Sequence, residues 1–218
     1  LHFPFYIHFQ AVLQVAKHFT LRKLFLSFIF YLLQIVFYLF DLSIGRLRES
    51  CDVIPVMASE RLINIHEDHL GKFAELSGQF RSYNYHAENK NRLLLSVFAR
   101  EIALSDEEPL SAKPNSIFLD GYVCKQPIYR KTPLGREIAD ILLAVNRPYG
   151  KSDYIPCICW GRNARFADSF AVGGRVQLWG RIQSREYQKK LSETETEKRI
   201  AYEVSVSKLD YLENAVSV

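Results

Sequence analysis

The chain has few cysteines and, in its second half, no histidine. Four cysteines are scattered over 218 residues, and this scatter favours a reducing compartment over a disulfide framework. All six histidines lie at or before His86, so residues 87–218 lack the base that most often activates a serine or cysteine nucleophile. The same residues contain no glycine-rich nucleotide-binding loop. We therefore expect a cytoplasmic protein that is not an enzyme.

Two groups of residues have the side-chain types of metal ligands. Cys157 and Cys159 face the same side of a predicted strand, but no second pair lies at the spacing that zinc sites use. The segment His66–His69 lies beside a turn at Gly71, which favours a solvated loop. A metal at either place is the alternative interpretation. We expect no metal site and no cofactor.

Long apolar runs are confined to the beginning of the chain. Leu24–Phe40 is almost unbroken apolar sequence and, taken alone, is a candidate transmembrane segment. Its last residues belong to a predicted strand. The part that remains, Leu24–Val36, is short for a bilayer span. No small-residue cleavage site follows it. We expect an atypical apolar segment over residues 1–36, either buried or frayed or an erroneous upstream reading frame, and no membrane association.

Aromatic and basic residues are interleaved along one strip of the second half. Asp153–Trp160 alternates like a half-buried strand, which puts Tyr154 and Trp160 on one face. A turn and a short basic helix follow, and then a second strand over Val176–Tyr187. Flat rings beside positive charges suit a single-stranded nucleic acid, and the net charge of +4 agrees with a polyanionic partner. The alternative is that these rings are only good strand formers with value in a core.

From residue 37 onward the chain repeats itself. Four short segments of the first half match four segments of the second half in the same order, at offsets of 101, 101, 102 and 109 residues. The matching pairs are Leu42–Arg46 with Leu143–Arg147, Asp52–Pro55 with Asp153–Pro156, Gly78–Tyr85 with Gly180–Tyr187, and Ser96–Val97 with Ser205–Val206. We interpret this pattern as two copies of one domain.

Each copy consists of short strands separated by turns. In the second copy a helix, predicted over Asn163–Phe170, lies between the third and fourth strands. Five strands with one helix after the third is the order of an OB-fold barrel, so we predict an all-β chain with two five-stranded OB-fold barrels in tandem. The strands of the second copy are predicted at Ile117–Val123, Ile138–Asn146, Tyr154–Trp160, Arg175–Tyr187 and Ile200–Leu209.

The predicted domains follow from the repeat. After the apolar segment 1–36 we expect a degenerate OB-fold over residues 37–102, a linker over 103–115 and a nucleic-acid-binding OB-fold over 116–212. The linker is acidic, contains serine and proline, and has no hydrophobic period. The first strand of the first copy is expected near residues 16–22, where the match is poor.

The second copy, over about residues 116–210, resembles bacterial single-stranded DNA-binding protein. The segments that carry the resemblance are Leu143–Asn146, Trp160–Ala164 and Val176–Arg185. The segments Tyr129–Glu137 and Asn146–Tyr149 resemble tandem-domain relatives from Gram-positive anaerobes, and the first copy resembles the same fold more weakly over residues 37–102. The resemblance implies sequence-independent binding of single-stranded DNA, which is protected during replication, recombination and repair.

The resemblance also implies four positions where bases stack on rings. Tyr149, Tyr154, Trp160 and Tyr187 fall at these positions in the second copy. In the first copy three of the four rings are missing, so we expect that copy to bind weakly or to serve packing and assembly. The corresponding residues there are Arg48, Val53, Ser59 and Tyr85.

Ten cations near these rings are expected to neutralise phosphates, although each could be an ordinary solvated surface charge. They are Arg130, Lys131, Arg136, Arg147, Lys151, Arg162, Arg181, Arg185, Lys189 and Lys190. By resemblance, two barrels per chain imply a homodimer with four OB-folds. The family's acidic C-terminal tip does not follow residue 212 in this sequence, so recruitment of partners by that route is doubtful. The alternative function is an OB-fold protein-interaction or assembly module without strong DNA binding.

Overall fold

The computed structural model describes residues 14–15, 22–24, 36–46, 50–64, 66–87, 90–108, 114–190, 192 and 196–212. The chain divides into two compact units, Leu1–Ser116 and Ile117–Val218. The described part of the first unit contains β1 Gln14–Val15, β2 Arg22–Leu24, β3 Phe37–Gly45, β4 Cys51–Ser59, β5 Phe73–Ala87 and β6 Lys90–Ser105. The second contains β7 Ile117–Val123, β8 Ile128–Lys131, β9 Glu137–Asn146, a 3₁₀ turn Pro148–Gly150, β10 Ser152–Trp160, α1 Arg162–Asp168, β11 Arg175–Lys190 and β12 Thr196–Leu212.

The second unit is a closed barrel of five strands. Its sheet runs β10-β12-β11-β7-β9, and β9 pairs again with β10 to close the ring. All pairs are antiparallel except β10 with β12. Two of the pairings are short, since β7 pairs with β9 through Tyr122 and Val123 and β10 pairs with β12 through Cys157 and Ile158. The predicted OB-fold is confirmed, and β8 is an additional short strand that forms a hairpin with β9.

The core of this barrel is formed by every second residue in the middle of β9 and β10. Leu143 lies opposite Ile155, and Ile141 opposite Cys157, with each of the four at most 2% exposed. Complete burial of an aliphatic side chain of this size is worth about 1.5–3 kcal/mol. The neighbouring positions on the same strands face outward, and they form the surface considered below.

The helix α1 covers the region between β10 and β11. It follows Gly161, whose positive φ of 52° is a conformation that glycine adopts readily. Ala164 and Ala167 are fully buried on its inner side. Phe170, just beyond the helix, stacks on Tyr211 of β12 with ring centroids 4.5 Å apart. The helix therefore joins the third and fourth barrel strands, as predicted from their order.

The first unit has the same topology. Its sheet runs β1-β5-β6-β4-β3, with β3 pairing again with β1, and β2 forms an extra pair with β3. The parallel pair β4–β6 corresponds to β10–β12. A β-bulge falls between Ser77 and Gly78 on β5 and between Trp179 and Gly180 on β11, at the predicted offset of 102. The two copies inferred from the sequence are therefore two barrels of one design.

Two sequence matches differ from the structural correspondence. Val97 pairs with Val56 as Val204 pairs with Cys157, so the last strands are offset by 107 residues and not by the predicted 109. Gln14 lies opposite Ser43 as Tyr122 lies opposite Ala144, so the first strand is offset by 108. The structure thus places it at Gln14–Val15 and not near residues 16–22. Insertions between strands explain both errors, because a constant offset cannot follow a change in loop length.

The limits of the first unit also differ from the expectation. Residue 37 begins its third strand, and two earlier strands at Gln14–Val15 and Arg22–Leu24 belong to the same sheet. β6 continues to Ser105, beyond the expected start of the linker at residue 103. The remainder of the apolar segment 1–36, apart from Val36, and residues 109–113 of the linker lie outside the described residues.

Each barrel contains a buried carboxylate held by an arginine at the start of the β3–β4 or β9–β10 hairpin loop. Arg147 donates from Nε to Asp153 Oδ2 at 2.5 Å and from its terminal nitrogen to the other carboxylate oxygen. Arg46 and Asp52 make the same pair in the first unit, with 2.7 Å from Nε to Oδ2. Asp153 is 3% exposed and Asp52 is 1% exposed. Arg147 therefore has a buried structural partner, and the phosphate contact expected from its charge stays a prediction.

Candidate nucleic-acid interface

The outward positions of β9 and β10 form one continuous surface, which we term the ring face. Tyr154 and Trp160 stand at opposite ends of β10, with Pro156 and Ile158 between them. Their partners on β9 face the same way, because residues directly opposite in an antiparallel pair share a side of the sheet. These partners are Ala144, Leu142, Asp140 and Ile138, in the order of the β10 residues from Tyr154 to Trp160.

The two rings on β10 are unusually open for aromatic side chains. Tyr154 is 44% exposed and Trp160 is 40% exposed, whereas Ile158 between them is 6% exposed. Tyr154 and Trp160 are six positions apart along the strand, so their Cα atoms lie about 20 Å from each other. The surface between them is mostly apolar, so the ring face offers two flat platforms joined by a hydrophobic floor.

The strand β8 extends the ring face on the side of Trp160. Arg130 lies opposite Ile138, which itself lies opposite Trp160, and Ile128 lies opposite Asp140. Arg130 donates from Nε and from its terminal nitrogen to Asp140 Oδ2, at 3.1 and 2.7 Å. The pair leaves the arginine half exposed. A cation therefore lies two strands away from the Trp160 ring on the same surface.

On the other side the ring face continues onto β12 and β11. Ile158 pairs in parallel with Ser205, and Ser205 lies opposite Arg181 on β11. Alternation along β11 then puts Arg181, Arg185 and Tyr187 on the same side of the sheet. Tyr187 is 37% exposed. The pairing pattern therefore brings the three described rings, which belong to two different strands, onto one outer surface.

A buried carboxylate orders the polar groups on β11. Glu203, 8% exposed, accepts a hydrogen bond of 2.7 Å from Gln183 Nε2 and lies 3.6 Å from Arg185 Nε. Arg181 donates to Gln183 Oε1 at 3.0 Å. The guanidinium carbon of Arg185 lies 5.8 Å from the centre of the Tyr187 ring. One acidic group thus positions two arginines and leaves the cluster with net positive charge.

The remaining predicted cations lie around this surface. Lys131 and Arg136 are exposed on either side of the β8–β9 turn, and Arg162 is exposed at the first position of α1, two residues after Trp160. Lys151 is exposed next to the 3₁₀ turn. Lys189 and Lys190 are exposed at the far end of β11. The side chain of Tyr149, the predicted first ring, lies outside the described residues.

Trp179 has a different environment from Trp160. It lies on β11 opposite Phe118 of β7, with ring centroids 4.9 Å apart, and opposite Lys208 of β12, whose Nζ is 4.3 Å from the centre of the ring. Contacts on both sides explain why this ring is less exposed than the rings of the ring face. Trp179 therefore serves packing on the β7–β11–β12 side of the sheet.

Sequence reasoning missed two tyrosines near the ring face, Tyr129 on the opposite side of the β8–β9 hairpin and Tyr122 on the outer surface of β7. Tyr129 on β8 donates from its hydroxyl to Glu137 Oε1 at 2.8 Å, and this hydrogen bond raises the pKa of the tyrosine. Tyr122, 38% exposed, faces outward on β7 opposite Ala144. Alternation within Ile117–Val123 could have shown that Tyr122 points away from the core. That Tyr122 lies opposite Ala144 could not have been known from the sequence, because it depends on how β7 pairs with β9.

The described part of the first unit contains no open counterpart of the ring face. Val53 and Ser59 occupy the positions of Tyr154 and Trp160, as expected from the repeat. The structure adds that Phe98 occupies the position of Ser205. Its ring packs 5.5 Å from that of Phe37, and the guanidinium carbon of Arg81 lies 4.2 Å above its centre.

Two further positions of that comparison cannot be placed. Arg48 and the side chain of Tyr85 lie outside the described residues. At the two positions that are described, the first unit has small or aliphatic side chains, and the ring of Phe98 is engaged by its own neighbours.

The candidate metal ligands are not assembled into a site within the described part of the chain. No group of three or more His, Cys, Asp or Glu side chains there could hold a metal ion. His69 is buried, with Nε2 2.5 Å from the carbonyl oxygen of Asn64. Cys157 and Cys159 face the barrel core, and burial raises the pKa of Cys159 to about 12. The two thiols therefore behave as apolar core groups at neutral pH.

Among the described residues, no helix has both the length and the apolar character needed to cross a membrane.

Comparisons with known proteins agree with this geometry. Residues 114–212 match the single-strand binding protein family. Single-stranded DNA-binding protein 3 of Listeria innocua is 35% identical over 81 residues, which are 34% of this chain and 51% of that protein. Single-stranded DNA-binding protein A of Bacillus subtilis is 35% identical over 81 residues, or 34% and 47% of the two chains. The chain thus spans about half the length of the curated relatives it matches.

Solved structures support the fold of both units. The crystal structure of a deletion mutant of the single-stranded DNA binding protein from Thermus aquaticus aligns with a TM-score of 0.63 at 18% identity, covering 96% of this chain and 94% of that chain. The wild-type protein gives a TM-score of 0.61, also at 18% identity. This likeness confirms the tandem OB-fold. The sequence match to the single-strand binding protein family covers residues 114–212, and the likeness to the solved structures extends the fold to both units.

Proposed function

We propose that the second unit binds single-stranded DNA without sequence preference and without chemistry, by stacking bases on the rings of the ring face. The observation that carries the proposal is the exposure of Tyr154, Trp160 and Tyr187, between 37 and 44%, on one continuous outer surface. Large aromatic side chains held open on a β-sheet, with arginines between them, form the surface that unpaired bases need. Tyr149, in the 3₁₀ turn before β10, is proposed as a fourth ring.

The energetics of such binding are set by two independent terms. Each base that stacks on a ring contributes about 1–3 kcal/mol, and every base has a face that can stack, so sequence preference is weak. Each phosphate contact adds a salt-dependent term, because the logarithm of affinity falls with the logarithm of salt at a slope of about −0.7 per contact on a single strand. The stacking contribution to affinity is therefore the same at any salt concentration, whereas the number of phosphate contacts determines how steeply affinity falls as salt rises.

The proposed phosphate contacts are the predicted cations other than Arg147. Their locations support the proposal, because they flank the ring face on β8, on α1 and along β11. They are Arg130, Lys131, Arg136, Lys151, Arg162, Arg181, Arg185, Lys189 and Lys190. The buried Glu203 beside Arg185 reduces the local positive potential but holds the guanidinium next to Tyr187. We expect Arg185 to contact the phosphate adjacent to the base on that ring.

The proposed role for the whole chain is to protect single-stranded DNA in the cytoplasm during replication, recombination and repair. The first unit is proposed to serve packing and assembly, because Val53 and Ser59 replace two of the rings and Phe98 is packed by its own neighbours. Two barrels per chain would give four in a homodimer, and we propose that assembly. Light scattering at micromolar concentration tests it, with a stable monomer contradicting it.

The test of DNA binding uses the two tryptophans, which are both in the second unit. Trp160 belongs to the ring face and Trp179 is packed by Phe118 and Lys208, so the two substitutions are matched. The full chain is titrated with oligo-dT while tryptophan emission is recorded. Wild type and Trp179→Phe should bind with quenching. Trp160→Leu should lose most of the quenching and bind about 5- to 150-fold more weakly.

Two results would contradict the proposal. If the wild-type chain shows neither quenching nor retention of labelled oligo-dT on a filter, it does not bind single-stranded DNA, and an OB-fold interaction module becomes the better interpretation. If Trp160→Leu and Trp179→Phe have equal effects, the ring face is not where the DNA lies.

A further inference from the structure

One transverse row of residues crosses the second barrel at the Tyr154 end of the ring face. Tyr154 on β10 lies opposite Ala144 on β9, Ala144 lies opposite Tyr122 on β7, and Tyr122 lies opposite Arg175 on β11. Directly paired residues point to the same side of a sheet. The four side chains therefore stand side by side on the outer surface, in the order ring, methyl, ring, cation.

Both rings of this row are open to solvent. Tyr122 is 38% exposed, which is within the range of the three rings of the ring face. Tyr154 is 44% exposed. The residues before and after Tyr122, Gly121 and Val123, face inward, and Val123 is 1% exposed. Tyr122 thus projects from a strand that is packed into the barrel core on either side of it along the chain.

The spacing suits a single nucleobase. Neighbouring strands lie about 4.8 Å apart, so Tyr122 and Tyr154 start from backbone positions about 10 Å from each other. A base stacked between two rings needs about 7 Å, which is two stacking distances of about 3.4 Å. Each tyrosine has two rotatable side-chain bonds with which to close the difference. Between them Ala144 projects only a methyl group, which leaves the space above it available.

The fourth member of the row supplies charge. Arg175 is held by Asp120, with Nε donating at 2.9 Å to one carboxylate oxygen and the terminal nitrogen at 2.7 Å to the other. Its side chain remains 44% exposed. Asp120 is itself held by Gln177 at 2.9 Å. This network fixes the guanidinium beside Tyr122, where it can contact the phosphate of a nucleotide seated in the row.

We infer that Tyr122 and Tyr154 form a slot, with Ala144 as its floor, that takes one base of single-stranded DNA. The slot extends the DNA path from the ring face across β9 onto β7, in a direction transverse to the strands. This inference rests on the proposed function, since it adds a subsite to the same ligand path. It goes beyond it because Tyr122 lies on a strand that carries none of the four ring positions implied by the family resemblance.

Two substitutions test the slot in different ways. Tyr122→Leu removes a ring and keeps an apolar side chain, whereas Ala144→Leu keeps both rings and fills the space between them. Phe166→Leu on α1 is the matched control, because it removes an exposed ring that lies outside the row. The full chain and each variant are titrated with oligo-dT at a fixed salt concentration, and far-UV circular dichroism and tryptophan emission check that the fold is kept.

We expect Tyr122→Leu and Ala144→Leu each to weaken binding by about 5- to 150-fold, the effect of losing one stacked base. The salt slope should become less negative by no more than about 0.7, because neither substitution alters charge and only the phosphate contact of Arg175 is lost with the base. Tyr122→Phe should bind like wild type, since stacking needs only the ring. The losses from Tyr122→Leu and Ala144→Leu should not add in the double variant, because each substitution alone already prevents the same base from stacking in the slot.

The outcomes separate this inference from the proposed function. If wild type binds and Tyr122→Leu binds as tightly as Phe166→Leu, the slot is refuted and the ring face stands. If Tyr122→Leu weakens binding but Ala144→Leu does not, Tyr122 contacts DNA without a slot, and the inference is again overturned. If wild type does not bind oligo-dT, both the proposed function and the slot are refuted.

Discussion

Replacing Arg147 by methionine separates a structural cation from a DNA-binding one. Arg147 lies next to the proposed ring Tyr149 in sequence, and its charge alone suggests a phosphate contact. The structure instead pairs it with Asp153, which is 3% exposed. Arg147→Met leaves that carboxylate in the barrel without its guanidinium. Breaking a buried ion pair on one side costs about 3–5 kcal/mol, and partial exposure of the arginine lowers our expectation to about 2–4 kcal/mol.

Urea unfolding followed by tryptophan emission measures this loss in the second unit, which contains both tryptophans. With a slope of about 1–3 kcal/mol per molar urea, the transition midpoint should fall by about 1–2 M. The double variant Arg147→Met/Asp153→Leu is the control. It removes both charges, and replacing a buried ion pair by apolar groups is often close to neutral, so its midpoint should lie near that of wild type.

Binding of oligo-dT by the folded Arg147→Met variant tests whether Arg147 contacts a phosphate. The salt slope of Arg147→Met should equal that of wild type, because no phosphate contact is lost. Lys189→Met, which removes an exposed cation from β11, should make the slope less negative by about 0.7. If Arg147→Met keeps its urea midpoint and loses about 0.7 of slope, then Arg147 contacts phosphate and our structural assignment is wrong.

Two further predictions concern the barrel itself. A Cβ at Gly180 would lie 2.3 Å from the carbonyl oxygen of Ser205, so Gly180→Ala should lower the free energy of unfolding in urea by about 1–3 kcal/mol. Gly45→Ala, where a Cβ would meet nothing within 4 Å, should change it by less than about 0.5 kcal/mol. Equal effects of the two substitutions would contradict the close approach at Gly180. Burial raises the pKa of Cys159 from 9.0 to about 12, so the stability that its neutral thiol provides is complete below pH 9 and is lost as pH rises through about 12. The urea midpoint of wild type should therefore fall over that interval more steeply than that of Cys159→Ala, and parallel curves would contradict this.

Much of the second barrel could be predicted because its signals are local. Alternation along β9 and β10 separated core from surface, and the structure kept Ile155 and Leu143 inside and Tyr154 outside. The order of strands and helix was sufficient for the OB-fold. The rings of the ring face were placed through the family resemblance, from their positions relative to Trp160 and Gly180, and their contact with DNA stays a prediction.

Features that depend on pairing between distant segments could not be predicted. The acceptor of the Arg147 guanidinium is Asp153, six residues away across a hairpin, and the burial of this carboxylate underlies the structural role that we assign to Arg147. The place of Phe98 opposite Met57 follows from a strand offset of 107, which the sequence match had put at 109. The Tyr122 row depends on β9 pairing with β7 at one end and with β10 along its length. None of these relations leaves a period or a motif in the sequence.

The presence of two barrels in one chain separates what the architecture requires from what a ligand requires. Both keep an arginine–aspartate pair and a bulged glycine at matching sites, although, among the residues that the structure describes, open rings occur on the outer surface of the second barrel and not of the first. Those shared residues are therefore explained by folding alone. The substitutions that distinguish the copies, Tyr154 against Val53 and Ser205 against Phe98, are concentrated on a single outer surface. An arrangement of this kind lets one half diverge in its contacts while the common scaffold stays intact.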